Sequence, residues 1–169
     1  MENKRMQFLV KENLLTMIEN SIGSTMFQKT FALLEHQVKE DITKNGRFSC
    51  AKYVSSILLL NGLIKGIHVT VEGAVHDMQK SGWYPVNHEA LDSLAAGTVI
   101  LWEPYLARDN QYHKHIGFFV GDNQAVSNHS LLNTPQKHHP TFDTRNGVPM
   151  RKIIAMYVHP VLLYNKPAP

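Results

Sequence analysis

The apolar pattern of this chain changes period once, after Gly82, and that change restricts the fold more than any other feature. Upstream the spacing is helical. Met6, Leu9, Val10, Leu14, Met17 and Ile18 form one stripe, and Phe27, Phe31, Leu34, Val38 and Ile42 form a second. Gly23 ends the first run and Ser24 is placed to cap the next. A third helix is expected from Ser49, as N-cap, to Asn61-Gly62, with Gly62 as the C-terminal stop. A fourth runs from Thr70 to Ser81-Gly82, with Val71, Ala74, Val75 and Met78 on its inner face. Downstream the period is two. Thr98 to Trp102, His115 to Val120, Gln124 to Asn128 and Lys152 to Val158 read as strands, and Gly121-Asp122-Asn123 reads as a hairpin turn. Helices first and strands later, with hairpin connections, predict an α+β domain built on an antiparallel sheet.

At 169 residues the chain suits one domain with a substantial core. Residues 1–44 read as a helical hairpin extension of a main domain over 45–169. No Pro-, Gly- or Ser-rich linker separates them, so one compact unit is expected. The single cysteine forbids an intrachain disulfide. The net charge of +3 is scattered, with no basic stripe and no nucleic-acid module. Charges interrupt the N-terminal apolar residues, and no run approaches the ~20 residues of a spanning helix. The expectation is a cytoplasmic product with no membrane segment and no nucleic-acid partner.

Against that background one residue pair carries chemistry. Cys50 lies in Phe48-Ser49-Cys50-Ala51-Lys52, at the start of the third helix. A helix N-terminus offers unpaired N–H groups and partial positive charge, which favour a thiolate and can hold an oxyanion. Yet Cys50, Val54, Ile57 and Leu58 share a helical face, the ordinary setting of a cysteine that is only a small buried hydrophobe. His115 opens a strand apolar on both faces, where a polar residue needs a partner or a task. Thiol and imidazole together are the parts of a cysteine nucleophile site. A third member follows from hairpin register. An even-numbered loop after Val120 sets Asn128 on the face of His115, and an odd-numbered one sets Ser127 or His129 there. Asn128 is favoured.

These residues resemble a known family. Cys50 at a helix start, then Ala96-Gly97-Thr98-Val99-Ile100-Leu101-Trp102, then His115-Ile116-Gly117-Phe118-Phe119-Val120-Gly121-Asp122-Asn123, is similar to the NlpC-type branch of papain-like cysteine peptidases. The similarity spans roughly residues 46–130, with the His115 strand its most specific part. It implies a papain-like α+β fold, with the cysteine helix packed on an antiparallel sheet. It also implies hydrolysis of amide bonds, typically in peptidoglycan stem peptides. Cys50 would be the nucleophile, His115 the base and acid, and Asn128 the orienting residue. The chain departs from the family at Ser49-Cys50-Ala51-Lys52, where Asp-Cys-Ser-Gly is usual. It departs again at Ala96-Gly97-Thr98, where Pro-Gly-Asp is usual, and at Ser127, where histidine is common.

Other features are weaker. Five of the ten histidines fall at His113, His115, His129, His138 and His139, but no carboxylate or second cysteine accompanies them at a zinc spacing, so no metal or cofactor is expected. Trp83, Trp102 and Tyr105 are candidates for a substrate cleft, although aromatics at strand ends more often pack. The reading is a thiol hydrolase that forms an acyl-enzyme on a peptide or peptidoglycan fragment. Its alternatives are a deamidase or transacylase using the same intermediate, and an inert module that binds a peptide or partner.

Overall fold

A computed structural model describes residues 7–87, 91–106 and 109–163. Met6 and the extreme ends of the two expected segments lie outside them. The helices are α1 (Val10–Asn20), α2 (Cys50–Leu60) and α3 (Val71–Lys80). The strands are β1 (Phe31–Leu33), β2 (Lys39–Asp41), β3 (Tyr84–Val86), β4 (Val99–Leu106), β5 (Tyr112–Gly121), β6 (Gln124–His129), β7 (Thr134–His138), β8 (Thr144–Arg145), β9 (Val148–Pro149) and β10 (Ile153–Val158). Six of them form one sheet in the order β3-β10-β4-β5-β6-β7, and every neighbouring pair is antiparallel. This is the α+β arrangement that the change of period predicts.

Alternation along the strands explains the layers. Val99, Leu101, Ile116, Phe118 and Val126 face the helices and join Leu14, Ile18, Val54, Leu58, Ala74 and Met78 in one core. Ile100, Trp102, Phe119, Ala125 and Met156 face the other way, where Leu91, Leu94 and Phe142 cover them. Helix α1 therefore belongs to the main core. No helix among the described residues is long and apolar enough to cross a membrane.

The helix ends follow the sequence. The Thr70 hydroxyl accepts from the Gly73 N–H at 3.1 Å and caps α3, and Gly62 and Gly82 end α2 and α3 with positive φ. Ser49 precedes α2 but does not cap it. Its hydroxyl donates to the Gly46 carbonyl at 3.0 Å, which leaves the first N–H groups of α2 for other use.

The second expected helix does not form. Residues 27–42 make a turn, then the small β1–β2 hairpin, and Phe31, Leu34 and Val38 stand 57, 42 and 56 % exposed. Only Phe27 of that stripe is fully buried, edge-on to Tyr53. The physical reason is Asp41. Its carboxylate accepts from the backbone N–H of Thr30 (2.9 Å), Thr43 (3.1 Å) and Asn45 (2.6 Å) and from the Thr43 hydroxyl (2.7 Å). Those bonds close the base of a hairpin and satisfy backbone groups that a helix would have paired internally.

Burial opposes ionisation of Asp41, yet these donors overcome it and lower its pKa from 3.8 to about 2. As pH falls the unfolded chain takes up its proton first. The stabilisation from this clasp is therefore complete above the ordinary value of 3.8 and fades toward about 2. Asp41→Ala is expected to lower the urea midpoint at pH 7, with the gap to the parent closing by pH 2. A gap that does not change with pH removes the charged clasp from the account.

Candidate active site

Cys50 is the first residue of α2, and its sulfur lies 4.0 Å from the carbonyl oxygen of Lys114, the residue before His115. The backbone N–H of Ile116, the residue after His115, also reaches the sulfur. The ladder between β5 and β6 runs to the pair Gly117–Ser127, and the thiol sits just beyond it. Cys50 arrives from the helical side and His115 from the opposite face, where it stands directly across from Trp102. Both line one cleft of about 580 Å³, whose walls include Val69 to Glu72, Tyr105, Phe142 and Arg151. The wall at Val69 and Thr70 is held by Asp77 of α3, which accepts from the N–H of Lys65 and Gly66 and bonds His68 Nε2 at 2.8 Å.

The hydrogen bonds of His115 set its protonation pattern. His138 Nδ1 lies 2.7 Å from the carbonyl of His139, which can only accept, so this nitrogen carries the hydrogen. Burial keeps His138 below its ordinary pKa, so the ring is neutral near pH 7 and its Nε2 is an acceptor. Ser127 Oγ, 2.8 Å away, donates to that nitrogen and accepts from His115 Nε2 at 2.9 Å. His115 Nδ1 is then the unprotonated nitrogen, the one able to receive a proton.

Charge is suppressed on both Cys50 and His115. Burial pushes the Cys50 thiol up, with only partial relief from the N–H groups of Ile116 and Ala51 and from the charge of Arg151. Burial, then Arg151, His138 and His129, hold His115 well below 6.5. Thiol and imidazole therefore both rest neutral in the one cleft.

Asn128 does not hold the imidazole. Its side chain is 2 % exposed and its Nδ2 donates to the Gly46 carbonyl at 2.7 Å, tying the loop before Cys50 to β6. His129 accepts from the N–H of Leu131 and Leu132 and shapes the turn after β6. The partner of His115 is Ser127, for a reason of register. Asp122 and Asn123 both have positive φ and form a tight turn, but Val120 bulges out between the pairs Phe119–Ala125 and Gly121–Gln124. The bulge makes the connection between Phe119 and Ala125 odd-numbered and sets Ser127 on the face of His115.

Of the three candidate aromatics only Tyr105 lines the cleft. Trp83 is core: its Nε1 donates to the Leu63 carbonyl at 3.0 Å and its ring packs near His159. Trp102 is fully buried, donates to the Pro140 carbonyl, and supports the imidazole from below with ring centroids 5.3 Å apart. Three site residues come from the segment after Leu131, which no motif covers. They are His138, Phe142, stacked on His138 at 4.0 Å, and Arg151. The sequence marks His138 only as one of the clustered histidines, and Asn133, a turn former with positive φ, opens the β6–β7 hairpin that carries it. Among the described residues no group of three or more His, Cys, Asp and Glu is placed to hold a metal ion. Comparison with known protein families, with curated proteins and with solved structures finds no match.

Proposed function

We propose that this chain is a cysteine hydrolase of papain-like, NlpC-type design that cleaves amide bonds in peptides, peptidoglycan stem peptides foremost. The observation that supports it most is the bonded series His115–Ser127–His138–His139, which leaves His115 Nδ1 unprotonated in the cleft that holds Cys50.

In this reading the thiol proton passes to His115 Nδ1 as sulfur attacks the amide carbonyl. The thiol and imidazole start neutral, so transfer accompanies attack rather than preceding it. The oxyanion is held by N–H groups at the start of α2, which no capping side chain occupies. The imidazolium gives its proton to the leaving amine as the C–N bond breaks, and a thioester forms on Cys50. Water then attacks the thioester with its proton passing to His115, and the sulfur leaves as the thiol. Asn128 has a second use here. The residue lines the cleft, and its buried Oδ1 has no partner among the described residues, an acceptor for a substrate N–H once the chain covering it gives way.

Incubation with muropeptides, read by mass spectrometry, tests the proposal. The expected product gains one water across one amide bond, and Cys50→Ala abolishes it. A product that is deamidated, or joined to a second amine, places the chain among the transferring and deamidating enzymes. Unchanged substrate across a peptide panel leaves a binding module.

A further inference from the structure

The β1–β2 hairpin carries apolar side chains on both faces. Its register pairs Phe31 with Asp41, Ala32 with Glu40 and Leu33 with Lys39, and the Leu34 N–H donates to the Val38 carbonyl at 2.8 Å. Alternation therefore sets Phe31 and Leu33 on one side and Leu34 and Val38 on the other. All four are exposed, Leu33 most of all at 66 %, and among the described residues none of them joins either core. An antiparallel hairpin in a water-soluble sheet commonly packs its apolar face and wets a polar one. This one wets both, and exposed apolar surface of that kind marks an interaction site. At its base Gly46 lies against Gln28 and Asn133, which sets the β6–β7 turn beside the hairpin. That turn shows Leu131 and Leu132, and Leu131 also lines the cleft.

The charges around this surface select its occupant. Asp41 is turned onto backbone N–H groups with its charge acting on Lys52, and Glu40 pairs with Lys44. Lys29, Lys39 and Arg47 have no carboxylate within ion-pair distance among the described residues. Against these three cations stands Glu35 on the turn. Lys39 lies over the Phe31 ring at 4.5 Å, so its stem covers the apolar face while its ammonium faces out. We propose that the β1–β2 hairpin docks this chain on an anionic lipid bilayer. A bilayer surrounds both faces of a narrow hairpin, which a flat protein surface does not, and anionic headgroups answer the surplus of cations. Phe31, Leu33, Leu34 and Val38 enter the boundary between headgroups and acyl chains, while Lys29, Lys39 and Arg47 meet the phosphates. Glu35 is repelled, so the hairpin lies along the surface instead of entering turn first. Leu131 then brings the cleft mouth to the lipid.

Vesicle sedimentation with the full chain tests this, setting mixed phosphatidylglycerol–phosphatidylcholine vesicles against pure phosphatidylcholine. Two net cations, each worth roughly fivefold near an anionic surface, give an expected preference of about 25-fold for the anionic vesicles. Added salt removes most of it. Phe31→Ser with Leu33→Ser is expected to abolish binding at an unchanged urea midpoint, because both side chains are exposed in the fold. Lys29→Gln with Lys39→Gln is expected to equalise the two kinds of vesicle. Phe31→Trp gives a second measurement. Trp83 and Trp102 are buried, so a blue shift on adding anionic vesicles comes from the introduced indole. Absence of both sedimentation and blue shift with anionic vesicles overturns the proposal, as does equal binding by the parent and the double serine variant. A mass that doubles with concentration in the parent but not in that variant assigns the hairpin to a second copy, and overturns it too. Cys50→Ala is expected to bind vesicles as the parent does, so docking and the hydrolase reading fail separately.

Discussion

His115→Gln lowers amide turnover by about 10²–10⁴-fold, the usual worth of a positioned general base and acid. Glutamine is the informative replacement. It preserves much of the volume of a side chain that is only 8 % exposed, and its amide N–H still meets Ser127, so the packing against Trp102 and Phe142 survives while the proton acceptor is lost. The same variant slows iodoacetamide at Cys50, because a thiol pushed up by burial depends on the imidazole to take its proton. Ser127→Ala and His138→Phe are expected to fall between parent and His115→Gln, since each removes the bonds that select the tautomer but spares the base. The acid limb of kcat/KM lies below pH 6.5, because burial and the nearby cations keep His115 neutral there. Full turnover in His115→Gln, with an unchanged unfolding midpoint, would end the assignment of base.

Gly117→Ala is expected to cost stability of about 3 kcal/mol, the upper end for overpacking. A Cβ at this position would lie 2.6 Å from Ser127 Cβ, 2.7 Å from the Val126 carbonyl oxygen and 3.0 Å from the Trp102 ring. Backbone on the neighbouring strand cannot yield as a flexible side chain would, and the indole is already pinned by its bond to Pro140. The strain therefore falls on the pair Gly117–Ser127, which ends the β5–β6 ladder beside His115. Urea denaturation and turnover together check this. The expected result is a lowered midpoint with a turnover loss that remains after correction for the folded fraction. A midpoint shift under about 0.5 kcal/mol, typical of a neutral surface change, would show that the strands have room to part.

Strong periodicity and end signals made α2, α3 and the central strands legible from residues alone, and these elements place Cys50 and His115 on one cleft. The stripe Phe27 to Ile42 has the right spacing for a helix, but spacing does not reveal that Asp41 will gather three backbone N–H groups and favour a hairpin. The third site residue turned on parity. One bulged residue at Val120 exchanges Asn128 for Ser127, and no composition rule signals a bulge in Val-Gly-Asp-Asn. His138, Phe142 and Arg151 were illegible for another reason. His138 ends β7 and meets the site only through Ser127, while Phe142 and Arg151 reach the cleft through irregular chain after β7, Phe142 from a positive-φ conformation that a bulky residue rarely adopts.

The bond from Asn128 to the Gly46 carbonyl joins the loop that delivers the thiol to the same sheet that carries the imidazole. In the proposed hydrolase both reactants are thereby mounted on one frame, and their mutual approach is settled when the polypeptide folds rather than at each encounter with substrate. A catalyst assembled this way has little to gain from a closing lid, and binding energy from the substrate is left over for discrimination.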